Sequence, residues 1–154
     1  FAVYGDIINT DTVGHALHTQ QKLSYAEYET LDRQAEDTRY EFADGEVRAM
    51  SGATLAHNQI VQNLSLLLRR DFRPKGCRVY TESVKLQAEA FRRYFYPDVM
   101  LTCSETDGAA QQLVREPVLL IEVLSDSTEK HDLGKKVDYS LPHPILVILS
   151  SCKS

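Results

Sequence analysis

Val118-Leu-Leu-Ile-Glu122-Val-Leu124 is a stretch in which Glu122 is the one polar side chain. A short run that is apolar on both parities reads as a strand covered on both faces. A lone ionised carboxylate there is costly unless it reaches water or a positive partner. Upstream, Tyr94-Phe-Tyr-Pro-Asp98-Val-Met-Leu101 sets a second carboxylate, Asp98, in another apolar run, directly after a proline. Two such strands carrying one carboxylate each can share a metal ion. The alternative is that each carboxylate stands at the wet end of its strand and is hydrated.

Outward from these strands, the pattern alternates helix and strand. Ser24-Tyr-Ala-Glu27 has the form of a capping box, followed by an apolar stripe of Tyr28, Leu31 and Ala35. Asp44-Gly45 is a turn signal, and Glu46–Met50 after it alternates as a short strand. The clearest helix covers about residues 55–72, with Ile60, Val61, Leu64, Leu67, Leu68 and Phe72 at helical spacing, ended by Pro74 and Gly76. Arg78–Gln87 reads as a strand whose apolar parity slips between Val79 and Val84, the mark of a bulge. A polar connection over 104–112, the Glu122 strand, a helix over about 127–139 and a last strand over 145–149 complete the order. This succession predicts an α/β fold, a mixed sheet with helices packed on it. Residues 1–22 are polar and weakly periodic, so the domain is expected over 23–154 behind a short extension.

The bulk numbers narrow the function classes. The chain has 154 residues, 43% hydrophobic and 25% charged, which suits one globular domain and excludes a disordered chain. A formal net charge of −5 argues against a protein that coats nucleic acid irrespective of sequence. Cys77, Cys103 and Cys152 form no C-x-x-C pair, so neither a disulfide framework nor a structural zinc site is expected. No apolar stretch is long enough to span a bilayer and the first twenty residues lack a signal-peptide core, so a cytoplasmic location is the expectation.

Asp98 and Glu122 carry the chemistry. Mg²⁺ (or Mn²⁺) takes oxygen ligands, commonly one or two carboxylates with water and substrate phosphate completing the shell. A backbone carbonyl near Val123 is a third candidate ligand. Such an ion polarises a phosphoryl oxygen and generates a nucleophilic hydroxide from bound water. Lys136, four residues beyond Asp132 on the following helix, is placed to orient that water, or else to form an ordinary surface pair with Asp132. His57 and Lys85 are further candidates, with a structural hydrogen bond the competing reading for the histidine. Arg69, Arg70, Arg73, Lys75 and Arg78 form a basic cluster that suits either a DNA-facing edge or the solvated end of a helix.

Tyr40-Glu-Phe-Ala-Asp-Gly-Glu-Val47, Ala56-His-Asn58, Tyr96-Pro-Asp98 and Ile121-Glu-Val-Leu-Ser-x-Ser-Thr128 with Asp132-x3-Lys136 together resemble the Uma-type restriction-endonuclease family of the PD-(D/E)xK nuclease superfamily. The resemblance covers about residues 23–139. It implies the restriction-endonuclease-like fold, Mg²⁺-dependent phosphodiester hydrolysis and DNA as the substrate; a homodimer is a further expectation. By the same resemblance Asp98 is the motif aspartate, Glu122 the motif glutamate and Glu41 the acidic residue of the first region. The superfamily's lysine two residues after the glutamate is replaced by Leu124, and Lys136 matches the position to which the Uma-type variant moves it. Lys136 and Tyr139 are three residues apart where the family has four, and the segment before the last strand is short. The competing function is a non-catalytic DNA- or protein-binding domain that keeps the nuclease fold.

Overall fold

Ser24 caps the first helix as its sequence predicts. In the computed structural model, which describes residues 22–50, 52–124 and 145–150, helix α1 spans Tyr25–Gln34. The Ser24 side chain accepts the Glu27 N–H, and the Glu27 carboxylate accepts the Ser24 N–H at 2.7 Å. The chain divides into two units. The first unites α1 with strands β1 (Tyr40–Ala43) and β2 (Glu46–Ala49), paired antiparallel from Tyr40↔Ala49 to Ala43↔Glu46. Asp44 and Gly45 make the turn at φ 51° and 92°, both left-handed, which is why an Asp-Gly pair stands there. Phe91–Arg93 belongs to this unit too. Arg92 donates to one Asp44 oxygen at 2.6 Å and Arg93 to the other at 3.0 Å. Desolvation pushes the Asp44 carboxyl up, but the bonds and charges of the two arginines outweigh it and hold it below the usual range. Arg92 and Arg93 are thus tied to this turn. Tyr28 is fully buried, stacks on Phe42 at 4.8 Å between ring centroids and donates its hydroxyl to the Tyr40 carbonyl at 2.9 Å.

The second unit begins with α2 (Leu55–Phe72), capped by Thr54, whose side chain accepts the His57 N–H at 3.2 Å. A single 3-10 turn (Arg73–Lys75) and the left-handed Gly76 stop the helix. There follow β3 (Arg78–Thr81), β4 (Lys85–Glu89), β5 (Arg93–Phe95), which begins within the first unit, β6 (Val99–Thr102), α3 (Glu105–Ala109), β7 (Leu113–Val114), β8 (Pro117–Leu124) and β9 (Ile145–Ser150). The main sheet runs β3-β6-β8-β9, antiparallel at the first two pairings and parallel at the last. The expected mixed α/β architecture is therefore present. One sheet face packs Val79, Val99, Leu101, Ile121 and Val123 against Val61 of α2, with Ile60, Leu64, Leu68 and Phe72 around them. On the opposite parity Met100 and Leu120 are completely buried. Both faces of β6 and β8 are covered, as the apolar runs require.

The structure corrects the sequence reading at three points. Arg78–Gln87 is not one bulged strand but two strands, β3 and β4, separated at Glu82, whose φ of 32° is left-handed. β4 pairs with β7 in a different sheet, so the parity slip marks a change of sheet. Cys77 and Cys103 form a disulfide, where no disulfide framework is expected from the sequence. Spacing along the chain hides it. The β3–β6 register pairs Arg78 with Thr102, and the next residues outward are these two cysteines. Closing a loop with a sequence separation of 26 stabilises by about 3.5 kcal/mol in the chain-entropy account. Leu67, counted in the α2 stripe, is 48% exposed, on the flank of the packed face.

The polar connection after β6 is organised by Asp107. This buried carboxylate accepts the Thr102 hydroxyl at 2.8 Å and the backbone N–H groups of Arg115 and Glu116 at 2.8 and 2.9 Å. The helix expected over 127–139 and most of the expected extension, residues 1–21, lie outside the described residues. Among the described residues no helix is long and apolar enough to cross a membrane.

Candidate metal centre

Pro97 has no N–H to donate, so a regular ladder cannot continue past Val99 into residue 97. Asp98 takes over at the strand end. The ladder between β6 and β8 closes with Val99↔Ile121, and Asp98 Oδ2 accepts the next available N–H, that of Val123, at 2.6 Å. Continuing the register sets Asp98 beside Glu122. The two strands are thus neighbours, and Asp98 and Glu122 are 8% and 3% exposed. This short bond to a backbone N–H fixes one oxygen of Asp98.

The other oxygen faces elsewhere. Thr81 pairs with Val99, so Glu82 leaves β3 next to Asp98 and donates its backbone N–H to the Asp98 carbonyl at 3.2 Å. The left-handed backbone at Glu82 is uncommon for a residue with a long side chain. His57, in the first turn of α2, reaches the same point: its Nε2 lies 3.1 Å from Asp98 Oδ1 and 3.4 Å from Glu82 Oε1. One donor atom from each of His57, Glu82 and Asp98 falls within 4.8 Å of the others. Donors bound at about 2.1 Å and about 90–110° apart stand about 3.0–3.4 Å from one another, so the two distances from His57 Nε2 fit the coordination shell of a small divalent cation.

Each expected residue has a definite place. Asp98, Glu122 and Val123 meet at the β6–β8 end. Glu41 lies in the first unit, buried in β1 and opposite Arg48 of β2. Lys85 is in β4, its ammonium 5.7 Å from the Tyr96 ring centroid. Lys136, with Asp132, lies outside the described residues. In the basic cluster Arg70 binds Asp71 at 2.7 Å and Lys75 sits 4.9 Å over the Phe72 ring. The Arg78 guanidinium lies against Gly108, where an added Cβ would collide with it. Glu82 is the residue that sequence reasoning missed, and the parity slip between Val79 and Val84 was the signal that could have pointed to it.

The mixed sheet with α2 on one face carries Asp98 just before β6 and Glu122 within β8. A solved structure described as a "putative nuclease belonging to DUF820" from Anabaena variabilis ATCC 29413 shares this fold. The TM-score is 0.67 over 83% of this chain and 74% of that one, at 14% sequence identity. The model of the Uma2 family, "Putative restriction endonuclease", matches residues 25–148, and the chain belongs to that family. It is 35% identical over 126 residues to uncharacterized protein slr1290 of Synechocystis sp. (strain ATCC 27184 / PCC 6803 / Kazusa). To uncharacterized protein sll1609 of the same organism it is 34% identical over 124 residues. These alignments cover 81% and 79% of this chain but 65% and 69% of the relatives, so the chain spans about two thirds of their length.

Proposed function

We propose that this domain is a metal-dependent endonuclease that hydrolyses DNA phosphodiester bonds at the β6–β8 strand end. The observation that carries the reading is the pair of buried carboxylates, Asp98 and Glu122, brought side by side by the antiparallel register. The family description adds the substrate class, since it names a restriction endonuclease. Asp98 and Glu122, with the Val123 carbonyl, would hold Mg²⁺ or Mn²⁺. When bound, such a cation polarises a phosphoryl oxygen and acidifies a coordinated water. Asp98 keeps its position through the Val123 N–H on Oδ2, while its Oδ1 lies 3.1 Å from His57 Nε2. Lys136 is the proposed group that orients water or meets developing negative charge, on the strength of its family match, and Glu41 joins the proposed set on the same ground.

Incubation of supercoiled plasmid with the protein and Mg²⁺ or Mn²⁺ tests this. Nicking or linearisation is expected. Asp98→Asn and Glu122→Gln should each reduce it by roughly a hundredfold or more, the scale on which loss of a charge-stabilising group acts. Folded, metal-binding protein that leaves plasmid intact would favour the competing reading, a binding domain on a nuclease scaffold, which the net charge of −5 suits.

A further inference from the structure

We propose that His57, Glu82 and Asp98 form a second divalent-cation position, on the far side of the Asp98 carboxylate from β8, and that this position prefers a transition ion such as Mn²⁺ to Mg²⁺. The carboxylate of Asp98 divides its two oxygens. Oδ2 is bound by the Val123 N–H at 2.6 Å, whereas Oδ1 lies 3.1 Å from His57 Nε2. Glu82 Oε1 stands 3.4 Å from the same nitrogen. The position is sheltered but reachable: the His57 and Asp98 side chains are each 12% exposed and that of Glu82 is 35% exposed.

Three separate elements converge here: the first turn of α2, the exit of β3 and the entrance to β6. None of the three residues adjoins another in sequence, so the convergence belongs to the fold. Glu82 is carried there by a left-handed backbone. The donor set is one imidazole nitrogen and two carboxylate oxygens. Mg²⁺ takes oxygen ligands and keeps much of its water, whereas imidazole suits the later divalent ions, whose affinity for nitrogen rises along the first transition row. The nitrogen therefore sets the preference, and the two carboxylates supply the charge.

The inference stands apart from the nuclease reading, because binding alone tests it. Calorimetric titration of the metal-free protein with Mn²⁺ and with Mg²⁺ should show Mn²⁺ binding at least about tenfold tighter. His57→Gln retains a side-chain N–H that can donate to Asp98 but removes the imidazole. It should bring the two affinities to within about threefold of each other. Glu82→Gln should weaken Mn²⁺ binding about tenfold or more, the scale on which groups around a metal site act. Circular dichroism of both variants establishes that they fold, and either variant alone suffices. Equal affinity for Mn²⁺ and Mg²⁺ in the unsubstituted protein, undiminished Mn²⁺ preference in His57→Gln, or no Mn²⁺ binding at millimolar concentration would each overturn the proposal. Absence of DNA cleavage together with His57-dependent Mn²⁺ binding would sink the nuclease reading and leave this one standing.

Discussion

Asp44 and Asp98 carry the same carboxylate into opposite circumstances. Asp44 sits in a hairpin turn, on a left-handed backbone that Asp tolerates, with a guanidinium on each oxygen. Its charge is matched by side chains of its own unit. Asp98 is buried at a strand end, one oxygen taken by a backbone N–H and the other facing an imidazole with a second carboxylate beside it. A carboxylate answered by arginines is scaffold. A buried carboxylate gathered with another around one imidazole holds surplus negative charge, and a cation is the economical remedy. Where local rules of sequence are obeyed they build the fold, and where they are broken together they mark the site.

The comparison can be broken first in the scaffold. Tyr28→Ala removes a completely buried ring stacked on Phe42 together with its hydroxyl bond to the Tyr40 carbonyl. It should destabilise the unit around α1 by about 3–5 kcal/mol, read from denaturant unfolding. Mn²⁺ affinity should persist in whatever fraction of the second unit remains folded. If Tyr28→Ala abolished Mn²⁺ binding while the β6–β8 sheet stayed folded, scaffold and site could not be separated in this way.

A smaller effect sharpens the contrast at the site. Glu82→Gly relieves a left-handed backbone that costs an ordinary residue about 1–2 kcal/mol, partly offset by the greater freedom of glycine in the unfolded chain. Thermal stability without metal should stay the same or rise by at most about 1 kcal/mol, while the Mn²⁺ response is lost. A fall in stability with the Mn²⁺ response intact would show that Glu82 is a structural residue.

Much of this was legible in the sequence. The capping box at Ser24, the Asp44-Gly45 turn and the α2 stripe are local signals, and local chemistry decides them. The apolar run around Glu122 announced a strand covered on both faces because its apolar residues fall on both parities of a short segment. The Cys77–Cys103 bond was hidden because it depends on the register of two strands. Glu82 was hidden because its role depends on where the chain leaves one sheet for another. His57 was visible as a candidate, but a histidine gains meaning only from what stands opposite it, here Asp98 and Glu82. Glu41 and Lys136 rest on family pattern and on no geometry of the β6–β8 end.

The central claim is that the Asp98 carboxylate is there to hold a cation, and a pair of thermal melts tests it most directly. Metal-free protein should gain about 1 kcal/mol of stability when Mn²⁺ is added at about five times its dissociation constant, by mass action on the native state. Asp98→Asn should show no such gain. A melting temperature indifferent to millimolar Mn²⁺ and Mg²⁺ in the unsubstituted protein, or an equal gain in Asp98→Asn, would contradict the account.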